Sequence, residues 1–112
     1  MLSGVLRLRS PRDFQTVREK GGRWRNDLLV LNVLPNDRAH NRYGFVVSKR
    51  IGNAVKRNRL KRRLRAIIRG YNNVGSGYDI VVIARVNASQ ASYHQLEQSL
   101  RDLLIHAKLV SA

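Results

Sequence analysis

The chain has no cysteine among its 112 residues, so neither a disulfide nor a thiolate metal site is open to it. Acid is nearly as scarce. Seven Asp and Glu stand against 22 Lys and Arg, for a formal net charge of +15. The seven are scattered, with no two closer than five residues in sequence. Metal-dependent hydrolysis needs clustered carboxylates, often around two metals about 4 Å apart, which disfavours a free-standing nuclease. His40, His94 and His106 are isolated. His94 shares a predicted helix with Glu97, but acid–base chemistry needs a positioned partner, and one such pair reads as ordinary solvated polarity. Gly75-Ser76-Gly77 is too short for a phosphate loop and has no Lys after it. No apolar run approaches the ~20 residues that cross a bilayer. Met1 to Val5 is followed at once by Arg7 and Arg9, unlike a signal peptide. The expectation is a cytoplasmic, non-catalytic protein with no membrane partner.

What is present is a single core's worth of apolar residues and one concentrated charge. A chain of 112 residues is expected to form one domain and to bury roughly 65% of its unfolded surface. An apolar fraction of 43% supports a fold despite the net charge. No acid occurs from Arg38 to Tyr78, and within that stretch Lys49–Arg69 holds ten Lys or Arg in 21 residues. Like charges repel, so folding alone gives little reason to keep them together. A polyanion that releases its counterions gives a strong one. Seven of the ten are Arg, whose planar fork pairs with two phosphate oxygens at once.

Local patterning places this run in a small α/β framework. Met1 to Arg9 reads as an irregular basic arm. Ser10 offers an N-cap, Pro11 a first helical position and Asp13 the partner of a capping box, so a helix is predicted from Pro11 to about Lys20, stopping at Gly21-Gly22. Leu28 to Leu34 suits a strand buried on both faces, ended by the turn chemistry of Pro35-Asn36-Asp37. Tyr43 to Ser48 reads as a second strand and Lys49 to Gly52 as its connection. Asn53 is an N-cap for the basic helix, which ends near Arg69-Gly70. A loop over Asn72 to Gly77 leads to a strand at Asp79 to Arg85. An amphipathic helix from Ser89 to about Val110 turns Tyr93, Leu96, Leu100, Leu103, Leu104 and Ala107 to one side. The order predicts a small sheet with helices against it, in which the basic helix forms a crossover between parallel strands, right-handed by the general rule. Trp24, between Arg23 and Arg25, fits either stacking on a base or anchoring a strand edge.

On a helical wheel Leu60, Leu64, Ile67 and Ile68 share an arc of about 100° and face the sheet. Arg57 lies at one edge of that arc. Asn58, Arg59, Lys61, Arg62, Arg63, Arg65 and Arg69 cover most of the rest. Pairs such as Lys61 with Arg65 destabilise an isolated helix by a few tenths of a kcal/mol each. Solvated faces usually mix signs, and this one does not, so the missing counter-charge is expected in a nucleic-acid partner. Asn58, a neutral amide between two Arg, is either an ordinary exposed residue or a ligand for a hydrated metal held by phosphates.

The stretch from Phe45 to Arg65, Phe-Val-Val-Ser-Lys-Arg-Ile-Gly-Asn-Ala-Val-Lys-Arg-Asn-Arg-Leu-Lys-Arg-Arg-Leu-Arg, closely resembles the signature of the protein subunit of bacterial ribonuclease P, with Arg57-Asn58-Arg59 as that family's RNR motif. Pro11-Arg12-Asp13-Phe14 is similar to the family's early helix, and Asp79 to Arg85 to its last strand. The resemblance implies an α+β fold, a single-domain α/β sandwich with a small mixed sheet and a left-handed crossover. It implies a complex with the ribonuclease P RNA that removes the 5′ leader of precursor tRNA, with the RNA supplying the chemistry and magnesium bound mainly by RNA and substrate. No obligate protein partner is implied. On this reading Lys49, Arg50, Asn53, Lys56, Arg57, Asn58, Arg59, Lys61, Arg62, Arg63 and Arg65 meet the RNA subunit. Arg12, Phe14, Arg18 and Ser48 contribute to the leader cleft, and Asn58 is the candidate metal ligand. Arg18 and Asn32 stand where the family often carries aromatics. The alternative is a structural ribosomal RNA-binding protein.

Overall fold

The computed structural model describes residues 7–71 and 74–111. Helix α1 (Pro11–Lys20) is followed by strands β1 (Gly22–Arg25), β2 (Leu29–Pro35) and β3 (Arg42–Val46), helix α2 (Ala54–Arg69), strand β4 (Tyr78–Ala84) and helix α3 (Tyr93–His106). Short 3-10 turns at Lys49–Ile51 and Val86–Gln90 precede α2 and α3. The sheet order is β1-β2-β4-β3. β2 runs antiparallel to both β1 and β4, whereas β3 and β4 are parallel, so β3–α2–β4 is the expected crossover.

Strand alternation divides the interior in two. Leu29, Leu31 and Val33 of β2, Tyr43 and Phe45 of β3, and Ile80, Val82 and Ala84 of β4 face α2 and α3. They pack there with Leu60, Leu64, Ile67, Ile68, Leu96, Leu100, Leu103 and Leu104 in the main core. The opposite face carries α1 over a smaller cluster, in which Val17 and Val81 are fully enclosed beside Leu8 and the half-buried Phe14, Leu34, Val46 and Ile83. β2 is covered on both faces, as its nearly all-apolar run requires.

A short strand, β1, stands where the sequence pattern shows only the end of a helix. Gly-Arg-Trp-Arg has one apolar side chain, too few to mark an alternation, and tertiary packing makes the strand. Trp24 packs against the main core, which settles it as an anchor, and its ring lies so close over Gly22 that a Cβ there would come within 2.6 Å of it. Asn26 closes the β1–β2 hairpin: its Oδ1 accepts from the Leu28 and Leu29 amides, and its Nδ2 donates to the Ser99 carbonyl of α3 at 3.0 Å.

Several details differ from expectation. The last helix begins at Ser92 rather than Ser89, which falls in a 3-10 turn. Ser92 and Gln95 form a reciprocal capping box, and the helix ends at His106 instead of Val110. Tyr93, at its first turn, is 43% exposed and not on the inward face. The Ser10 side chain does cap α1, accepting from the Arg12 amide, but Asp13 turns away to within 3.5 Å of Arg42. Residues 1–6 of the expected arm, and Asn72 and Asn73 of the expected loop, lie outside the described residues. The start of the described arm, Arg7 and Leu8, is tied to the sheet. Arg7 bridges to Tyr43 in parallel, and the Leu8 amide donates to the Tyr43 carbonyl at 2.9 Å, covering the free edge of β3.

Candidate nucleic-acid interface

α2 starts where the sequence says it should. The Asn53 side chain accepts from the Lys56 amide at 3.0 Å, and Gly52 before it holds φ of 150°, a conformation L side chains rarely adopt. Four apolar side chains fasten the helix to the sheet: Leu60, Leu64, Ile67 and Ile68, all buried. The cations are thereby fixed in two flanks. Lys56, Arg59 and Arg63 line a hollow with Ile51, Ala88 and Ser89, toward the 3-10 turn before α3. Asn58, Lys61, Arg62 and Arg65 line a second on the opposite flank, around Val55, which is 65% exposed.

Among the described residues no acidic side chain neutralises these groups. Among the described residues both ion pairs belong to Arg42, which meets Asp79 at 2.6 Å and Asp13 at 3.5 Å. Arg57, half-buried at the edge of the inward arc, has its Nε removed from water with no acceptor, and so has Arg65. The Arg65 guanidinium lies 5.6 Å from the centre of the Phe45 ring, a cation–π contact. Burial, and then the charges of Arg7 and Arg69, lower its pKa. The edge-covering arm thus adds Arg7 to the field of α2. Lys49 and Arg50, in the turn before the helix, are exposed beside the same surface.

The other predicted site lies on the α1 face. Phe14 packs over β3 at Gly44, where a Cβ would lie 2.3 Å from its ring, so glycine gives the ring its place. Phe14 and Arg18, four residues apart on α1, line one hollow with Pro11, Gln15, Glu19 and Val46. Arg12 is exposed at the start of α1 and does not line it. Ser48 is not part of it either. It caps the 3-10 turn by accepting from the Arg50 amide at 3.3 Å and lines a neighbouring hollow with Arg50, Ile83, Arg85, Val86 and Asn87. The two hollows adjoin where Val46 pairs with Ile83 across the strands. Arg85 and Asn87 were missed by sequence reasoning. Alternation past Ile83 places Arg85 on this face, and that was the available signal. Asn32 is 1% exposed, enclosed between the sheet and α1, with neither amide atom partnered.

Asn58 was also weighed as a metal ligand. Its exposed amide sits among Lys61, Arg62 and Arg65, with no carboxylate in the lining. That donor set repels a bare dication, and among the described residues no three His, Asp or Glu side chains converge. These residues do not by themselves form a magnesium site.

A sheet with the main core on one face, a helix over a smaller cluster on the other and an acid-free cationic helix as its crossover defines a small polyanion-binding α+β protein. Residues 2–108 match the Ribonuclease P family model, and the chain belongs to that family. It is 44% identical over 104 residues to the ribonuclease P protein component of Herpetosiphon aurantiacus, covering 92% of this chain and 85% of that one. With the component of Alkaliphilus metalliredigens it shares 37% over 106 residues, 94% and 96% of the two chains. The Staphylococcus aureus ribonuclease P protein superposes with a TM-score of 0.88 at 35% identity, over 94% of this chain and 97% of that one. The Thermotoga maritima protein gives 0.81 at 33%, over 89% and 96%.

Proposed function

We propose that the chain is the protein subunit of ribonuclease P, pairing with the catalytic RNA to remove the 5′ leader of precursor tRNA. The observation that carries this reading is the outer surface of α2, which has no acid and no ion pair and is rigidly seated on the main core. Its two flanks, Lys56, Arg59 and Arg63 on one side and Asn58, Lys61, Arg62 and Arg65 on the other, neutralise phosphates of the RNA subunit and release their counterions. The hollow between Phe14, Arg18 and Val46 takes a leader base, with stacking on the ring or the guanidinium. The protein contributes no acid, base or nucleophile to the cleavage. Magnesium is held by phosphate oxygens of RNA and substrate, and the protein lowers the magnesium requirement by supplying fixed positive charge. No helix among the described residues is long and apolar enough to cross a membrane, and the reaction is assigned to the cytoplasm, where precursor tRNA is made.

The test mixes the protein with precursor tRNA at low magnesium, with and without the ribonuclease P RNA. Cleavage only with both present supports the reading. Cleavage by the protein alone would make it a nuclease, and the absence of any stimulation would return the chain to the ribosomal alternative.

A further inference from the structure

The tighter of the two hollows beside α2 has a wall that α2 does not supply. Lys56, Arg59 and Arg63 share it with Ile51, Leu60, Ala88 and Ser89, and its volume is about 110 Å³ against about 590 Å³ on the opposite flank. Ala88 and Ser89 belong to the 3-10 turn Val86–Gln90 that joins β4 to α3. Ala88 fixes that turn. It is buried in the main core with Ile51 and Leu60, its amide donates to the Arg85 carbonyl at 2.9 Å, and its carbonyl accepts from the Ala91 amide at 3.2 Å. Ser89, the next residue, is exposed at the hollow. Its side chain holds nothing in place. Ser92 caps α3, the 3-10 turn has no side-chain cap bond, and no hydrogen bond among the described residues involves the Ser89 hydroxyl.

The chemistry of the lining narrows the ligand. Ile51, Leu60 and Ala88 are buried, so they offer little surface for a base to stack on. Lys and Arg side chains only donate, which suits phosphate oxygens, since these only accept. A hydroxyl both donates and accepts. Ser89 is therefore the one side chain of the hollow able to take a hydrogen bond from whatever binds there. A stretch of nucleic-acid backbone that sets a donor beside an accepting phosphate carries a ribose 2′-hydroxyl, and DNA lacks that donor. Resting on the proposed function, we infer that the hollow binds one ribose-phosphate unit of the RNA subunit, with the phosphate on Lys56, Arg59 and Arg63 and the 2′-hydroxyl donating to Ser89 Oγ. The site reads sugar and charge without reading a base. It makes the turn before α3 a second RNA-contacting element, and it makes Ser89 the contact that separates RNA from DNA where the cations alone would take either.

The experiment titrates the ribonuclease P RNA with wild-type protein, Ser89→Ala, Ser89→Thr and Arg59→Ala across a range of salt. Ser89→Ala should bind about fivefold more weakly, the size of one neutral hydrogen bond. Its log–log salt slope should match wild type, because a hydroxyl releases no counterion. Ser89→Thr keeps the oxygen and should recover most of the loss. A second arm binds pools of the RNA carrying scattered 2′-deoxynucleotides. At one nucleotide the deoxy substitution should weaken binding to wild type and to Ser89→Thr and leave Ser89→Ala unaffected, the non-additivity expected of two groups in direct contact. Equal affinity of Ser89→Ala and wild type would overturn the inference, as would a shallower slope for Ser89→Ala or the absence of any deoxy position to which Ser89→Ala alone is indifferent. Those results with a normal loss for Arg59→Ala would leave the proposed function standing. If Arg59→Ala kept both the affinity and the salt slope of wild type, the cationic contact in the proposed function would fall, and this inference with it.

Discussion

Helices α2 and α3 pack on the same face of the sheet and are built alike on the inside. α2 buries Leu60, Leu64, Ile67 and Ile68, and α3 buries Leu96, Leu100, Leu103 and Leu104. Their outer surfaces share nothing. α3 mixes Glu97 and Asp102 with Arg101 and ties Gln98 to Asp102 at 3.1 Å. α2 carries no acid at all. Packing therefore explains both inner faces, and no requirement of packing explains why one outer face is uniformly cationic. The difference is the ground for proposing that α2 meets another molecule while α3 serves as scaffold.

The comparison breaks most heavily on the inside. Leu64→Ala and Leu100→Ala, at two fully buried positions, should each cost about 2–5 kcal/mol of unfolding free energy in denaturant titrations. A near-neutral result at either would mean that helix is not seated as described. On the outside the two helices should part. Arg59→Ala should weaken binding to the ribonuclease P RNA and reduce the salt slope by about one, whereas Arg101→Ala on α3 should change neither; a filter-binding series in salt decides it. The caps should then behave alike again. Asn53→Ala and Ser92→Ala each remove a side-chain acceptor from a first-turn amide and should each cost about 1 kcal/mol in thermal melts.

The smallest effect sharpens the contrast through Arg42, the one cation with an ion pair among the described residues. Asp79 is buried, which pushes its carboxyl up, but hydrogen bonds from Arg42 and Asn36 and the charges of Arg42 and Arg38 outweigh this and hold it below the ordinary range. A carboxylate lowered on folding contributes stability above its unfolded pKa of about 3.9 and loses it as pH falls through the folded value. Wild type should therefore lose stability in strong acid, and Asp79→Asn should lack that part of the acid limb. α2, with no acid, should contribute nothing to it.

Much of this was legible in one dimension. Asn53 and Gly70 bracket α2 where cap chemistry puts them, and the four inward residues of that helix follow from 3.6-residue spacing alone. The strand over Leu29–Pro35 follows from a run that is apolar but for Asn32. What failed depends on neighbours distant in sequence. β1 exists because Trp24 finds the core and β2 offers its edge. The Ser10–Asp13 capping box does not form, and the Asp13 carboxylate instead lies 3.5 Å from Arg42, which the sheet brings near. Of the cleft set Arg12, Phe14, Arg18 and Ser48, the structure brings only Phe14 and Arg18 to one hollow. Phe14 and Arg18 meet because they stand one helical turn apart, whereas Ser48 lies across the sheet in an adjoining hollow.

The amino-acid order by itself determined the cationic helix, its inward stripe and the class of its partner, because charge sign and helical period are local properties. Only the tertiary structure decided which cations share a flank, that Arg65 is drawn under Phe45, and that Ser89 joins Lys56, Arg59 and Arg63 at one hollow. Those relations run between elements that the sheet joins, and its register is set by how the whole core closes.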